Sequence, residues 1–442
     1  MSRRRHKKLP LDPVSAQVTS VSHEGRGVAQ VNNKKTFIEG ALPGEHVLFK
    51  YKKCRSRFDE GIAVEINNPS PERVTARCKH FEICGGCNQQ HIDPQAQIEH
   101  KQSVLVEQLK HIGNVQPAEI LSPLTGPVWG YRNKARLGVK YVEKKQKLLV
   151  GFREKFSPFI ADIQQCEVLN PKIGTLLEAL QELIGSLTIY NKLPQIEVAV
   201  AESATALVIR HLVTPAEGDL EKLKNFSGKH DIDFYMQPGG IDTVVPLIPG
   251  NTTPLTYSLP DHSVVIEFSP TEFTQVNFAI NRLMVNRAIE MLALEETDRV
   301  LDLFCGLGNF SLPVAKKVAH VTGVEGDEGL VNRARFNAEL NKISNVEFKK
   351  LNLADPVLLK GLLKNDTNKI LIDPPRTGAQ ELISNLDFKE VDRIVYVSCN
   401  PATLARDAGI LVNEKGFSLQ QTGVIDMFPH TAHVESIALF EC

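Results

Sequence analysis

The chain has 442 residues, 42% of them apolar and 23% charged, with a formal net charge of −1. That length exceeds what one compact core holds, so two or three domains are expected. No run approaches the roughly 20 continuous apolar residues of a membrane span, and the opening "MSRRRHKKLP" has no apolar segment behind its charges, so neither an anchor nor a secretory leader is expected. Without a leader, the 8 cysteines point to metal binding or catalysis rather than to a disulfide framework.

Positive charge is unevenly placed. Five Lys/Arg fall in the first eight residues, five in "KYKKCRSR" (50–57), and seven between Arg132 and Lys147 in "YRNKARLGVKYVEKKQK". Three such clusters in one half of the chain suit a polyanion, with Tyr51, Phe58 and Tyr131 available to stack on bases. Any single run also fits a solvated face. Within the third run, Arg132, Lys134 and Arg136 are expected to contact an RNA backbone.

After the basic tail of residues 1–13, short strand-like runs ("AQVTSVSHEGRGVAQV", "KKTFIEGAL", "EHVLFKYKK", "GIAVEIN") are separated by turn residues, which suits a small closed β-barrel over 14–68. "NNPSPERV" reads as a linker. "CKHFEICGGC" then sets Cys78, Cys84 and Cys87 in a C-x5-C-x2-C spacing, its diglycine allowing a tight wrap around a metal. A fourth ligand is needed, and Cys166 in "DIQQCEVL" is the natural candidate. Spacing alone does not separate four-cysteine zinc from a 4Fe-4S cluster. An amphipathic helix is expected around "DPQAQIEHKQSVLVEQLKHIG", with Ile98, Leu105 and Leu109 on its apolar face. Residues 125–268 look mixed, with strands such as "KARLGVKYV" and "TALVIRHLV", and carry no legible catalytic motif.

From residue 281 helices alternate with short apolar strands, the pattern of a doubly wound, mostly parallel sheet whose ligands sit at the carboxyl ends of strands. "VLDLFCGLGNF" is such a strand followed by Gly306-Leu-Gly308, a turn that lets backbone approach a ligand. A dinucleotide fold prefers a third glycine where Ser311 stands, which weakens a nicotinamide reading. Glu325 ends the next strand, 17 residues beyond Gly308, where a carboxylate suits ribose hydroxyls. Asp373 opens "DPPR" at another strand end. In "YVSCNPATLARD", Cys399 could be a small buried hydrophobe, a metal ligand or a nucleophile. Asn400 is a good N-cap and Pro401 a good first helical residue, so Cys399 sits at a helix start, where its thiolate is expected to be stabilised.

Together "LDLFCGLGNFSL", "GVEG", "DPPR", "SCNPATLARD" and "MFPHTAHVES" resemble the S-adenosylmethionine-dependent RNA uracil-5-methyltransferases. The barrel and cysteine knot resemble the bacterial 23S ribosomal RNA branch, which carries a TRAM barrel and an iron-sulfur cluster. The resemblance covers nearly the whole chain. "SCNPATLARD" with "HVES" is highly specific, whereas "LDLFCGLGNF" alone says only methyltransferase. It implies an α/β chain with a C-terminal doubly wound, Rossmann-like methyltransferase domain (97–124 and 269–442). Before it stand the N-terminal OB-like TRAM barrel and a mixed α+β iron-sulfur central domain (69–96 and 125–268).

The same resemblance implies that Gln275, Phe304, Asn309, Glu325, Asn352 and Asp373 hold S-adenosylmethionine. It favours a 4Fe-4S cluster on Cys78, Cys84, Cys87 and Cys166, structural because four cysteines leave no open iron. It makes Cys399 the nucleophile and Glu435 the base. The chemistry needs both: carbon 5 of uracil is a poor nucleophile until a thiolate adds to carbon 6, and the carbon 5 proton must then leave before the thiol can. Cys305 reads as packing beside the cofactor loop, and His430 and His433 as structural or RNA-contacting rather than zinc ligands. A stacked target base must be extruded, at about a few kcal/mol. The expected partner is large-subunit ribosomal RNA, the expected setting the cytoplasm without a membrane, and the expected state a monomer. A transfer RNA substrate and a non-catalytic RNA-binding assembly factor are the competing readings. A radical S-adenosylmethionine enzyme, with C-x3-C-x2-C and an open iron, and an electron-transfer protein fit less well.

Overall fold

A computed structural model describes residues 9–442 apart from 23, 356, 360, 361, 364 and 365; the first eight residues of the basic tail lie outside the described residues. The chain divides into two compact units, one reaching to Val104 and including Phe428–His433, the other comprising Leu105–Met427 and Val434–Cys442.

In the first unit, β1 (Val14–Val21), β2 (Gly27–Val31), β3 (Lys34–Glu39), β4 (His46–Cys54) and β5 (Phe58–Asn67) close a barrel in the order β1-β2-β3-β5-β4. Alternate residues fill it: Val18, Ala29, Ile38, Val47 and Phe49 are buried together, as strand pleating requires. Asn32 and Asn33, at φ 51° and 58°, make the two-residue turn between β2 and β3. Gly61 is needed beside Phe49, whose ring would lie 2.4 Å from an added Cβ. The stretch read as a linker is tied down. Buried Glu45 accepts hydrogen bonds from Ser70 N (3.1 Å) and Arg73 Nε (2.5 Å). Burial alone would raise the Glu45 carboxyl, but Arg73 and the amides of Ser70 and Leu42 hold it below the usual range. α1 (Pro94–Gln108) follows, ending in a π-helical turn over Leu109–Gly113.

The second unit holds two larger sheets. β6 (Glu119–Ile120) belongs to the later one. β7 (Lys134–Val142), β8 (Lys147–Gly151), β9 (Gln195–Val200), β10 (Thr205–Arg210), β11 (Asp233–Gln237) and β12 (Val245–Pro246) form a sheet in the order β12-β11-β10-β9-β7-β8, with α2 (Pro171–Gly174), α3 (Leu177–Gly185) and α4 (Glu217–His230) between its strands. β13 (Leu255–Leu259) and β14 (Val264–Phe268) pair separately.

After α5 (Phe278–Leu292) come β15 (Arg299–Leu303), α6 (Ser311–Ala315), β16 (His320–Glu325), α7 (Glu328–Leu340), β17 (Val346–Lys350), β18 (Lys369–Ile372), α8 (Gln380–Asn385), β19 (Arg393–Ser398), α9 (Pro401–Asn413), β20 (Ser418–Ile425) and β21 (Glu435–Glu441). Their sheet runs β17-β16-β15-β18-β19-β21-β20-β6, parallel from β17 to β19. β18 is buried at every residue, as a parallel strand covered on both faces is, with Lys369 at its start paired to Asp298. Strand order reverses between β15 and β18, the kind of switch point at whose carboxyl strand ends such sheets bind ligands. Gly113 and Gly409 let α9 approach the π-helical turn: a Cβ on Gly113 would lie 2.3 Å from the Ala405 carbonyl oxygen. Among the described residues no helix is long and apolar enough to cross a membrane.

Candidate active site

β15 delivers its chain into a turn that only glycine and one unusual phenylalanine occupy in the left-handed region: Phe304 at φ 64°, Gly306 at 53° and Gly308 at 91°. The turn is stitched to β16 by Phe304 N and Cys305 N, both donating to the Val324 carbonyl (2.9 and 3.1 Å). Glu325 accepts from Gly306 N (3.2 Å) through one oxygen and from Gly326 N (2.7 Å) and Asp327 N (3.2 Å) through the other. Three backbone amides thus orient the carboxylate before any ligand arrives. The Asn309 side chain turns inward, its Oδ1 accepting from Tyr257 Oη and Asn281 Nδ2 (both 2.9 Å) while its Nδ2 donates to Asn281 Oδ1 (2.9 Å). Asn309 therefore anchors the loop with its carboxamide. Cys305 is buried, as packing beside the loop requires.

Sequence reasoning passed over Asp302. It is buried within β15, and Ser311 Oγ donates a short hydrogen bond to its Oδ2. Ser311, which breaks the dinucleotide glycine pattern, thus has a structural task here. Burial, reinforced by Glu325, pushes the Asp302 carboxyl up to about 7 despite Ser311. Burial, reinforced by Asp302, pushes Asp373 up to about 7 as well, although part of that residue remains accessible. Two carboxyls raised chiefly by burial at a strand switch point mark a candidate functional site. The signal for Asp302 was present in "VLDLF", an acid inside an otherwise apolar strand just before the glycine turn.

Phe304, Glu325, Asn352 and Asp373 follow or end β15, β16, β17 and β18, so the structure gathers them along one sheet edge. Asn352 is exposed, its Oδ1 accepting from Ala354 N at 3.1 Å. Gln275 comes instead from the loop before α5. That loop is pinned by Lys134 Nζ donating to the Pro270 carbonyl (2.6 Å) and by Arg333, which meets Glu272 at 3.2 Å and Ser269 Oγ at 2.8 Å.

Cys399 follows β19 on the same edge. Asn400 is the expected N-cap of α9, accepting from Ala402 N at 3.1 Å, with Pro401 in the first turn. Ser398 pairs with Ser436 across the antiparallel β19–β21 ladder, which sets Cys399 opposite buried Glu435. The electrostatics reverse the expectation of a stabilised thiolate. Burial first, then Glu435 and Asp373, push the Cys399 thiol up to about 11, while Arg376 opposes them. Desolvation and two carboxylates outweigh one helix start. The rest of the motif is scaffolding: Asp407 is fully buried and accepts from Tyr396 Oη and Ala379 N (both 2.7 Å). A Cβ on Gly378 (φ 76°) would lie 2.7 Å from Asp407 Oδ2, so "DPPRTG" and "LARD" close on each other.

The expected RNA contacts of "YRNKAR" are corrected in part. Lys134 is walled in, its ammonium pushed down to about 8 by burial, and its bond to Pro270 commits it to the Gln275 loop rather than to a phosphate. Arg132 lies over the Phe152 ring (5.5 Å), and Arg136 remains largely exposed beside Glu197 (2.8 Å). His430 is buried and its backbone organises the first unit: its carbonyl accepts from Asn88 N and Gln89 N (both 3.0 Å), and its amide donates to Gln97 Oε1 (2.8 Å).

Cys78, Cys84 and Cys87 lie in the first unit and Cys166 in the second. Thiol-only donors suit iron or zinc, and Gly86 N donates to Cys84 Sγ (3.4 Å), a bond that favours a thiolate. Yet among the described residues no group of three or more His, Cys, Asp or Glu side chains is gathered as a metal ion would need.

A family model for tRNA (uracil-5-)-methyltransferase matches residues 93–442, and one for the TRAM domain matches residues 14–64. A Legionella pneumophila (strain Corby) protein named 23S rRNA (uracil(1939)-C(5))-methyltransferase RlmD is 49% identical over 436 residues, spanning 98% of each chain. A Francisella tularensis subsp. novicida protein of the same name is 50% identical over 444 residues, spanning 99% of each. The crystal structure of Pyrococcus abyssi tRNA (uracil-54, C5)-methyltransferase with S-adenosyl-L-homocysteine shares the fold at a TM-score of 0.73 and 22% identity, covering 97% of this chain and 100% of that one. With its barrel, its switch-point crevice and Cys399 set against Glu435, the chain belongs to the tRNA (uracil-5-)-methyltransferase family.

Proposed function

We propose that this protein methylates carbon 5 of one uridine in 23S ribosomal RNA, acting as a monomer in the cytoplasm. What supports the reading is the Ser398–Ser436 register, beyond which a thiol, Cys399, and a carboxylate, Glu435, come next on neighbouring strands, the carboxylate near enough to raise the thiol. When bound, S-adenosylmethionine supplies an electrophilic methyl group on a cationic sulfonium. Glu325 would orient its ribose, Asp373 and the Phe304–Asn309 turn would bound its pocket, and Gln275 and Asn352 would serve its polar ends. Cys399 gives up its proton to solvent and adds through sulfur to carbon 6, which leaves carbon 5 nucleophilic. After methylation Glu435 takes the proton from carbon 5, the ring regains its double bond, and the Cys399–carbon 6 bond breaks. A positive charge beside Asp373 and Glu435 would ease ionisation of Cys399.

Curated relatives matching 98% of the chain are named for 23S rRNA, which favours ribosomal over transfer RNA. The test is a map of 5-methyluridine in ribosomal and transfer RNA from cells with and without the gene. Loss of one ribosomal site is expected; loss only from transfer RNA would overturn the substrate assignment.

The proposal keeps a structural 4Fe-4S cluster on Cys78, Cys84, Cys87 and Cys166, supported by the thiol-only donor set, and routes no catalytic step through it. Protein purified without air is expected to be brown, with about four iron and four sulfide per chain. A colourless, zinc-loaded protein would refute the cluster.

A further inference from the structure

Beyond β8 the chain makes a second hairpin, 152–161, that the methyl-transfer chemistry does not use. Ala161 N donates to the Phe152 carbonyl and Glu154 N to the Phe159 carbonyl (both 2.8 Å), and Arg153 bridges Ile160. Its root is packed tightly. Gly138 and Gly151 are cross-strand partners on β7 and β8. A Cβ on Gly138 would lie 2.3 Å from Ile160 Cδ1, and one on Gly151 would lie 2.9 Å from Ile163 Cδ1. The two glycines therefore seat two isoleucines and hold the hairpin against the sheet.

Its tip is built against the usual economy of folding. Phe156 is 51% exposed and Phe159 71% exposed. Phe156 also adopts φ 57°, a conformation its Cβ disfavours, with no burial in return. Ser157 fixes the tip by accepting from Phe159 N through Oγ (3.1 Å). Arg153 in the hairpin is exposed, as are Lys140, Lys144 and Lys145 on and after β7. Asp162 answers part of that charge, meeting Lys147 at 2.7 Å and Lys145 at 3.9 Å. Two separate phenyl rings with an exposed arginine in the same hairpin suit flat bases on a phosphate chain better than the continuous apolar area of a protein interface.

We propose that hairpin 152–161 is an RNA-binding element, with Phe156 and Phe159 stacking on unpaired bases while Arg153 faces phosphates. This rests on the reading of the protein as an RNA methyltransferase, and the test separates the two. Binding is measured by fluorescence anisotropy for a ten-nucleotide oligouridine and for a 23S ribosomal RNA transcript, at several salt concentrations. Phe156→Ala and Phe159→Ala should each weaken binding roughly 5- to 150-fold with little change in salt slope. Phe159→Leu should be as weak as alanine and Phe159→Tyr should retain affinity. Arg153→Ala should lower the salt slope by about 1. Unchanged affinity in both alanine variants would overturn the proposal. So would rescue by leucine, which would assign the patch to apolar contact with a protein. Unchanged S-adenosylmethionine affinity reports that each variant is folded. A failed methyltransferase reading would show differently, as a parent protein that does not methylate RNA at all.

Discussion

Cys399→Ala is expected to lose methyl transfer by a factor on the order of 10⁴ or more and to form no covalent complex with RNA. The loss follows from chemistry, because without a sulfur at carbon 6 carbon 5 never becomes nucleophilic. Folding should survive, since Cys399 is only partly buried and the cap of α9 is made by Asn400 and Pro401. The environment adds a signature. With the thiol pushed up to about 11, only a small fraction is ionised at neutral pH in the ligand-free enzyme. Alkylation at Cys399 by iodoacetamide, read by mass spectrometry, should therefore climb about tenfold per pH unit toward that value. Saturating S-adenosylmethionine should accelerate labelling relative to S-adenosylhomocysteine, because only the former carries a positive charge at sulfur. Labelling that is complete at pH 6 would show that the helix start wins after all.

Glu435→Gln should separate the first half of the reaction from the second. The amide fills nearly the same space at the start of β21 but takes no proton, so addition and methylation proceed while release stalls. Turnover should fall by roughly 10²- to 10⁴-fold. A methylated RNA–protein adduct should accumulate to about one per enzyme, visible as a band that resists denaturation. Removing the carboxylate also removes one of the charges holding Cys399 up, so its alkylation curve should shift to lower pH. A variant that neither captures RNA nor shifts this curve would mean that Glu435 does not face the reacting base.

Much of this site was legible one segment at a time. The glycine turn after β15, the carboxylate ending β16 and the Asn-Pro start of α9 are local features, set by residues within a few positions of one another. The same holds for the alternating strands of the barrel. The edge made by β20 and the two-residue β6 that runs parallel to it left no clear periodic mark. Lys134 looked like one cation among seven, yet its strand register carries it to the Pro270 carbonyl.

By itself the sequence determined most element types, the glycine turn after β15 and which thiol and carboxylate are candidates for the chemistry, because backbone preference and side-chain chemistry are properties of neighbouring residues. Only the tertiary structure decided that Cys399 meets Glu435, 36 residues further along the chain, through the Ser398–Ser436 register. It also decided that Asp302 and Asp373 share one desolvated edge and that burial, Glu435 and Asp373 together raise the Cys399 thiol. Those outcomes depend on which strands pair and on what their packing excludes from water, and no local stretch of sequence encodes either.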